Sequence, residues 1–167
     1  MIATAFLHEC RRMLRTAGVI VMVGLFFATA LSAQEQDARI DKLPRAYVGE
    51  FLWDGDKTVQ NVVIRFDLVR ALNGESAEAT GCGAYEVNRQ IAKIKVRMLV
   101  SWPDLQVQIL EQSPEGSDSF ITDGSHRGRL SGDLQQIDAQ WTGSDGKRGH
   151  LHLNAAPSVA CAPATPL

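Results

Sequence analysis

Apolar and polar residues alternate with a period of two, in short runs at hairpin spacing, from Pro44 to Asn154. This predicts an all-β domain. Turn residues separate the runs, at Asp54–Gly55–Asp56, Asn73–Gly74, Ser131–Gly132–Asp133 and Gly143 to Gly146. No stretch carries a helical period for longer than a turn or two. Eight runs with short connections close most readily into an eight-stranded antiparallel up-and-down β-barrel, which leaves no sheet edge exposed. A two-sheet β-sandwich uses the same pattern and is the alternative.

In chain order, a secretory signal peptide comes first. Arg11, Arg12 and Arg15 form a basic region, Ala17 to Ala30 an apolar run, and Leu31, Ser32 and Ala33 a small-residue cleavage site. The run is shorter than the roughly 20 residues that span a bilayer. Met13 starts a complete signal by itself, so 1–12 has the character of an over-extended start. The Arg11–Arg12 pair resembles a twin-arginine signal. Cleavage after Ala33 leaves residues 34–167, enough for one core. The mature chain keeps 14 of 17 basic and 18 of 19 acidic residues, a net charge near −4. That balance disfavours nucleic acid or an anionic membrane as the main partner.

Residues 34–43 are polar without period and read as a lead-in. The first strand places Tyr47, Gly49, Phe51 and Trp53 on one face. The second, Thr58 to Asp67, has Val62, Ile64 and Phe66 inward, and Leu68 to Leu72 either extends it or forms a helical turn. The third, Ala77 to Val87, is interrupted by Gly81 and Gly83 around Cys82, a sign of a bulge or bend. Ile91 to Gln112 is a hairpin: Ala92, Ile94, Val96, Met98, Val100 and Trp102 face the core, Pro103–Asp104 turn the chain, and Leu105, Val107 and Ile109 resume the apolar face. Glu111 and Gln112 are its polar end. Ser113 to Ser119 has loop composition. Phe120 to Leu130, bent at Gly124 and Gly128, is the sixth strand. Ile137, Ala139 and Trp141 mark the seventh, and Leu151 and Leu153 a short eighth. Residues 155–167 form an Ala/Pro-rich tail.

Three short segments resemble the avidin and streptavidin type of small secreted barrel. They are Thr80, Gly81 and Tyr85, then Gly128 to Gly132, then Ile137, Gln140 and Trp141 before the Gly-Ser-Asp-Gly turn. Lipocalin-like barrels share many of these features. The resemblance implies a ligand held between aromatic walls and hydroxyl or amide groups, biotin in the avidin family. By it, Tyr85 matches a ligand-contacting tyrosine and Trp141 a core or pocket tryptophan. Val87 stands where that family has a polar residue, and Gly149 to Asn154 shows no counterpart of its ligand-binding acid.

Cys82 and Cys161 are the cysteines of the mature chain, and in an oxidising compartment such a pair is a disulfide candidate. A bridge over that span stabilises by at most about 4.5 kcal/mol through unfolded-state entropy. His150 and His152, two apart on one strand face, are a candidate metal half-site, with Asp138 or His126 as the third ligand. Their default role is a solvated outer face. Ser125 and His126 are strand neighbours that point to opposite faces, which excludes a nucleophile–base pair. Lys93, Lys95 and Arg97 form a basic stripe that meets an acidic partner protein if Arg127 and Arg129 lie beside it.

The functional expectation is an exported, periplasmic or secreted, non-enzymatic barrel without a cofactor. It binds a small apolar or amphipathic ligand in its mouth, walled by Tyr47, Phe51, Trp53, Tyr85, Trp102, Phe120 and Trp141. The alternative is a binding module for an envelope or extracellular protein, inhibitor-like, that acts through the Ser113–Ser119 loop or the outer face. A hydrolytic or metal enzyme centred on His126, His150 and His152 is a third option.

Overall fold

The computed structural model describes residues 39–113 and 123–161, leaving out the Val87 side chain. The signal segment, 34–38, 114–122 with Phe120, and 162–167 lie outside the described residues. Eight strands form a closed barrel: β1 (Ala46–Trp53), β2 (Gln60–Asn73), β3 (Ser76–Val87), β4 (Gln90–Ser101), β5 (Gln106–Gln112), β6 (Ser125–Leu130), β7 (Gln136–Thr142) and β8 (Arg148–Ala155). Each strand pairs antiparallel with its sequence neighbours, and β1 pairs with β8 to close the ring, Gly49 opposite Leu153 and Phe51 opposite Leu151. This is an eight-stranded barrel of the general kind that avidin-like and lipocalin-like proteins share, and the sandwich alternative is not adopted.

The alternation sets what is inside. Val62, Ile64 and Phe66 of β2, Ile94, Val96, Met98 and Val100 of β4, and Ile137, Ala139 and Trp141 of β7 are buried. Outward positions on β7 and β8 are Gln136, Asp138, Gln140, Arg148, His150, His152 and Asn154. The outward face of β7 and β8 is therefore polar, unlike the outward apolar band of a membrane barrel. Leu68 to Leu72 continue β2 as strand rather than helix, with a register shift between Phe66 and Leu68 opposite Gly81 and Thr80. The turn between β3 and β4 is Asn88–Arg89 with both φ angles positive, as a two-residue hairpin of right-handed twist requires.

One barrel end, the base, holds the β2–β3, β4–β5 and β6–β7 connections and the start of β1. The lead-in takes part here. A helical turn over 39–42 precedes β1, and Ile40 and Leu43, three apart on it, are buried in the core with Trp102 and Leu134. A barrel end must be stoppered by apolar side chains, and these are nearest in sequence to the entering strand. The Tyr47 hydroxyl donates to the Leu134 carbonyl at 3.0 Å, across the base, and burial pushes its pKa above the usual phenol range. Tyr47→Phe orphans that carbonyl and is expected to lower stability by about 1–2 kcal/mol in denaturant titration.

Cys82 of β3 is bridged to Cys161, with Cα atoms 5.7 Å apart. Cys82 sits beside Lys95 on the outer wall, so the bridge fastens the segment after β8 across the outside of the barrel. It links residues 79 apart, but on reduction the tail regains freedom in the folded state, which offsets part of the unfolded-state entropy. Cys82→Ser with Cys161→Ser is therefore expected to cost about 2–3 kcal/mol, below the loop-closure limit. Equilibrium unfolding with and without reductant measures it. The bridge is compatible with an extracytoplasmic location. No described helix is long and apolar enough to cross a membrane.

Candidate functional site

The other barrel end, the mouth, carries the β1–β2, β3–β4 and β7–β8 connections, and β5 ends and β6 begins there. Inward positions near it are Trp53 of β1, Gln60 of β2, Tyr85 of β3, Glu111 of β5, His126 of β6 and Trp141 of β7. Glu111 follows Val107 and Ile109 on the inner face of β5, and His126 precedes Gly128 and Leu130 on that of β6. Cross-strand pairing of Ile109 with His126 places Glu111 diagonally next to the imidazole.

These side chains form two tiers. In the inner tier, the Tyr85 hydroxyl donates to Glu111 Oε1 at 2.6 Å, His126 Nε2 lies 3.0 Å from the same oxygen, and the hydroxyl and Nε2 are 3.3 Å apart. Tyr85, Glu111 and His126 are 2%, 5% and 0% exposed. Burial first, then the charge of Glu111, hold the Tyr85 pKa well above the usual phenol range. The phenol is therefore a donor at any physiological pH. His126 Nδ1 is buried and has no hydrogen-bond partner among the described residues, a condition that costs about 1–3 kcal/mol.

The upper tier is aromatic. Phe51 stacks edge-to-face with Trp53 (centroids 4.8 Å), Tyr85 (5.8 Å) and His126 (5.7 Å), and Trp53 with Trp141 (4.9 Å), all at 83–89°. Glycines make room for the rings. A Cβ on Gly149 would lie 2.3 Å from the Phe51 ring, and one on Gly124 or Gly143 within 2.4 Å of the Trp141 indole. Phe51, Trp53, Gln60, Tyr85, Glu111, His126 and Trp141 enclose a cavity of about 10 Å³, the scale of one water. Beside it, Trp53, Asp54, Asp56, Gly146, Lys147 and Arg148 line an open groove of about 550 Å³.

Of the seven aromatic residues expected to wall a ligand site, Phe51, Trp53, Tyr85 and Trp141 come together here. Tyr47 and Trp102 lie in the base, where the Arg39 guanidinium sits 6.0 Å from the Trp102 ring, and Phe120 is outside the described residues. His150 and His152 face outward and pair with different carboxylates, Asp54 at 3.3 Å and Asp138 at 2.5 Å. Among the described residues no group of three metal-ligating side chains converges. The basic stripe and the β6 arginines do share one outer face: Lys93, Lys95 and Arg97 on β4 and Arg127 and Arg129 on β6 flank β5, whose outward residues Gln106, Gln108, Leu110 and Gln112 are uncharged. Arg97, with Arg70, pairs with Glu78 and holds that carboxyl below its usual range. No family model, curated protein or solved structure matches the chain.

Proposed function

We propose that this is an exported, non-enzymatic barrel that binds a small amphipathic ligand at its mouth. One observation carries the reading: three aromatic rings, Phe51, Trp53 and Trp141, cover a buried Tyr85–Glu111–His126 cluster at the open end of an otherwise apolar interior. A barrel gains nothing in closure from a buried carboxylate and an orphaned imidazole nitrogen, and apolar residues of similar volume would serve packing as well or better. Groups that weaken a fold while converging on one point are characteristic of binding sites. Export, to the periplasm or beyond, is supported by the leader composition and the disulfide. The fold analogy with avidin-like and lipocalin-like barrels supports a mouth site but does not select biotin.

Native mass spectrometry of the oxidised mature protein purified from the periplasm tests this reading. An additional discrete mass, released on mild denaturation, is the expected result. A bare mass equal to the chain less two hydrogens would count against a resident ligand. The second reading would then lead: a protein-binding module acting through the outer wall. It is favoured by the basic face of β4 and β6 on a chain whose mature net charge is acidic.

A further inference from the structure

We infer that the mouth selects a cationic amine, an alkylammonium with at least one N–H that donates to His126 Nδ1, held among the Phe51, Trp53, Tyr85 and Trp141 rings with the Glu111 carboxyl across the imidazole. This deepens the mouth-binding reading and rests on it. Four aromatic rings converge at one point, the surroundings in which a cation gains most from ring quadrupoles. The inner tier adds the single carboxyl of the cluster, and no lysine or arginine is among the residues that line the cavity.

The hydrogen bonds fix the remaining group. Tyr85 donates a hydrogen bond to Glu111 Oε1, and the His126 tautomer that carries its proton on Nε2 donates to the same oxygen. In the neutral imidazole that tautomer leaves a lone pair on Nδ1. Among the described residues Nδ1 and, in the base, Trp102 Nε1 are the buried side-chain atoms without a partner, and an ammonium N–H satisfies Nδ1. An anion would meet the Glu111 carboxyl, and a neutral hydrocarbon would leave Nδ1 unsatisfied.

Entry needs space, and Trp53 supplies it. Its indole borders both the 10 Å³ cavity and the 550 Å³ groove between the β1–β2 turn and the β7–β8 hairpin. Trp53 is half-buried while Phe51 and Trp141 are fully buried, so it is the ring held least firmly. Rotation of its side chain into the groove opens the cage without moving a strand.

The test uses the full mature chain, disulfide intact, refolded free of ligand, with three probes of similar size: tert-butylammonium, tetramethylammonium and tert-butanol. The readout is the indole N–H signals in two-dimensional NMR, with Trp102 in the base as internal reference. The expected result is that tert-butylammonium moves the Trp53 and Trp141 signals, leaves Trp102 in place, and binds at least about tenfold more tightly than tert-butanol. Tetramethylammonium, which has the charge but no N–H, should fall between them. Glu111→Gln, isosteric and able to keep its hydrogen bonds, should abolish the preference for charge, and His126→Phe the difference between the two ammonium ions.

Equal binding of tert-butanol and tert-butylammonium would overturn the cation assignment while leaving a mouth that binds small molecules. Failure of every probe to move Trp53 and Trp141 would also overturn it. Joined to a bare mass in native spectrometry, that failure would remove the mouth reading as well.

Discussion

Gly49→Ala is expected to open the barrel at its closing seam. Gly49 pairs with Val62 on one side and Leu153 on the other, and a Cβ there would lie 1.9 Å from the His152 carbonyl oxygen and 2.8 Å from the Leu153 Cα. Both neighbours are backbone, so relief requires β8 to separate from β1. Separation would expose two sheet edges as well as the core between them. A loss of about 3 kcal/mol or more follows, with aggregation as the accompanying sign. Gly132→Ala is the control, since a Cβ at that position meets nothing within 4 Å; its stability should stay within about 1 kcal/mol of wild type. Thermal unfolding of the two variants by circular dichroism distinguishes the outcomes. Equal melting temperatures would show that the seam does not need the glycine.

Glu111→Ala should be nearly as damaging, for an electrostatic reason. It removes the acceptor shared by Tyr85 and His126 and leaves both polar groups in an apolar interior, at a cost of about 3–5 kcal/mol. The combined replacement Tyr85→Phe, Glu111→Met, His126→Phe removes every member of the cluster while keeping its volume. Its stability should lie within about 1 kcal/mol of wild type or above it. Chemical denaturation of the single and triple variants tests the contrast. If the triple variant is as unstable as Glu111→Ala, the cluster is structural, and the reason for assigning it to binding disappears.

The period-two alternation made the eight strands and their order readable from the sequence. Residues such as Ile94, Val96, Met98 and Val100 can satisfy only one face of one sheet, and short polar turns leave antiparallel neighbours as the pairing. The helical turn of Ile40 and Leu43 was not readable. Two apolar residues on a single turn establish no period, and the turn is held by the base it stoppers rather than by its own propensity.

The candidate site was half readable. Phe51, Trp53 and Trp141 announce an aromatic end through their parity on strands that share a mouth. Glu111 reads as a polar strand end and His126 as part of a glycine-bent segment, although parity with Ile109 and with Gly128 points both of them inward. What local sequence does not contain is the barrel's stagger, which carries Tyr85 of β3 across the interior to Glu111 and His126. An ionisable residue on the inner parity of a predicted barrel strand was the usable signal.

The central claim is that the Tyr85–Glu111–His126 cluster and its aromatic cover exist to hold a ligand. It is tested most directly by native mass spectrometry of wild type and the triple apolar variant, expressed, exported and purified side by side. The account predicts that the wild type releases an extra mass on unfolding and that the equally folded triple variant arrives bare. The same extra mass on both proteins would place the ligand elsewhere on the barrel and contradict the assignment.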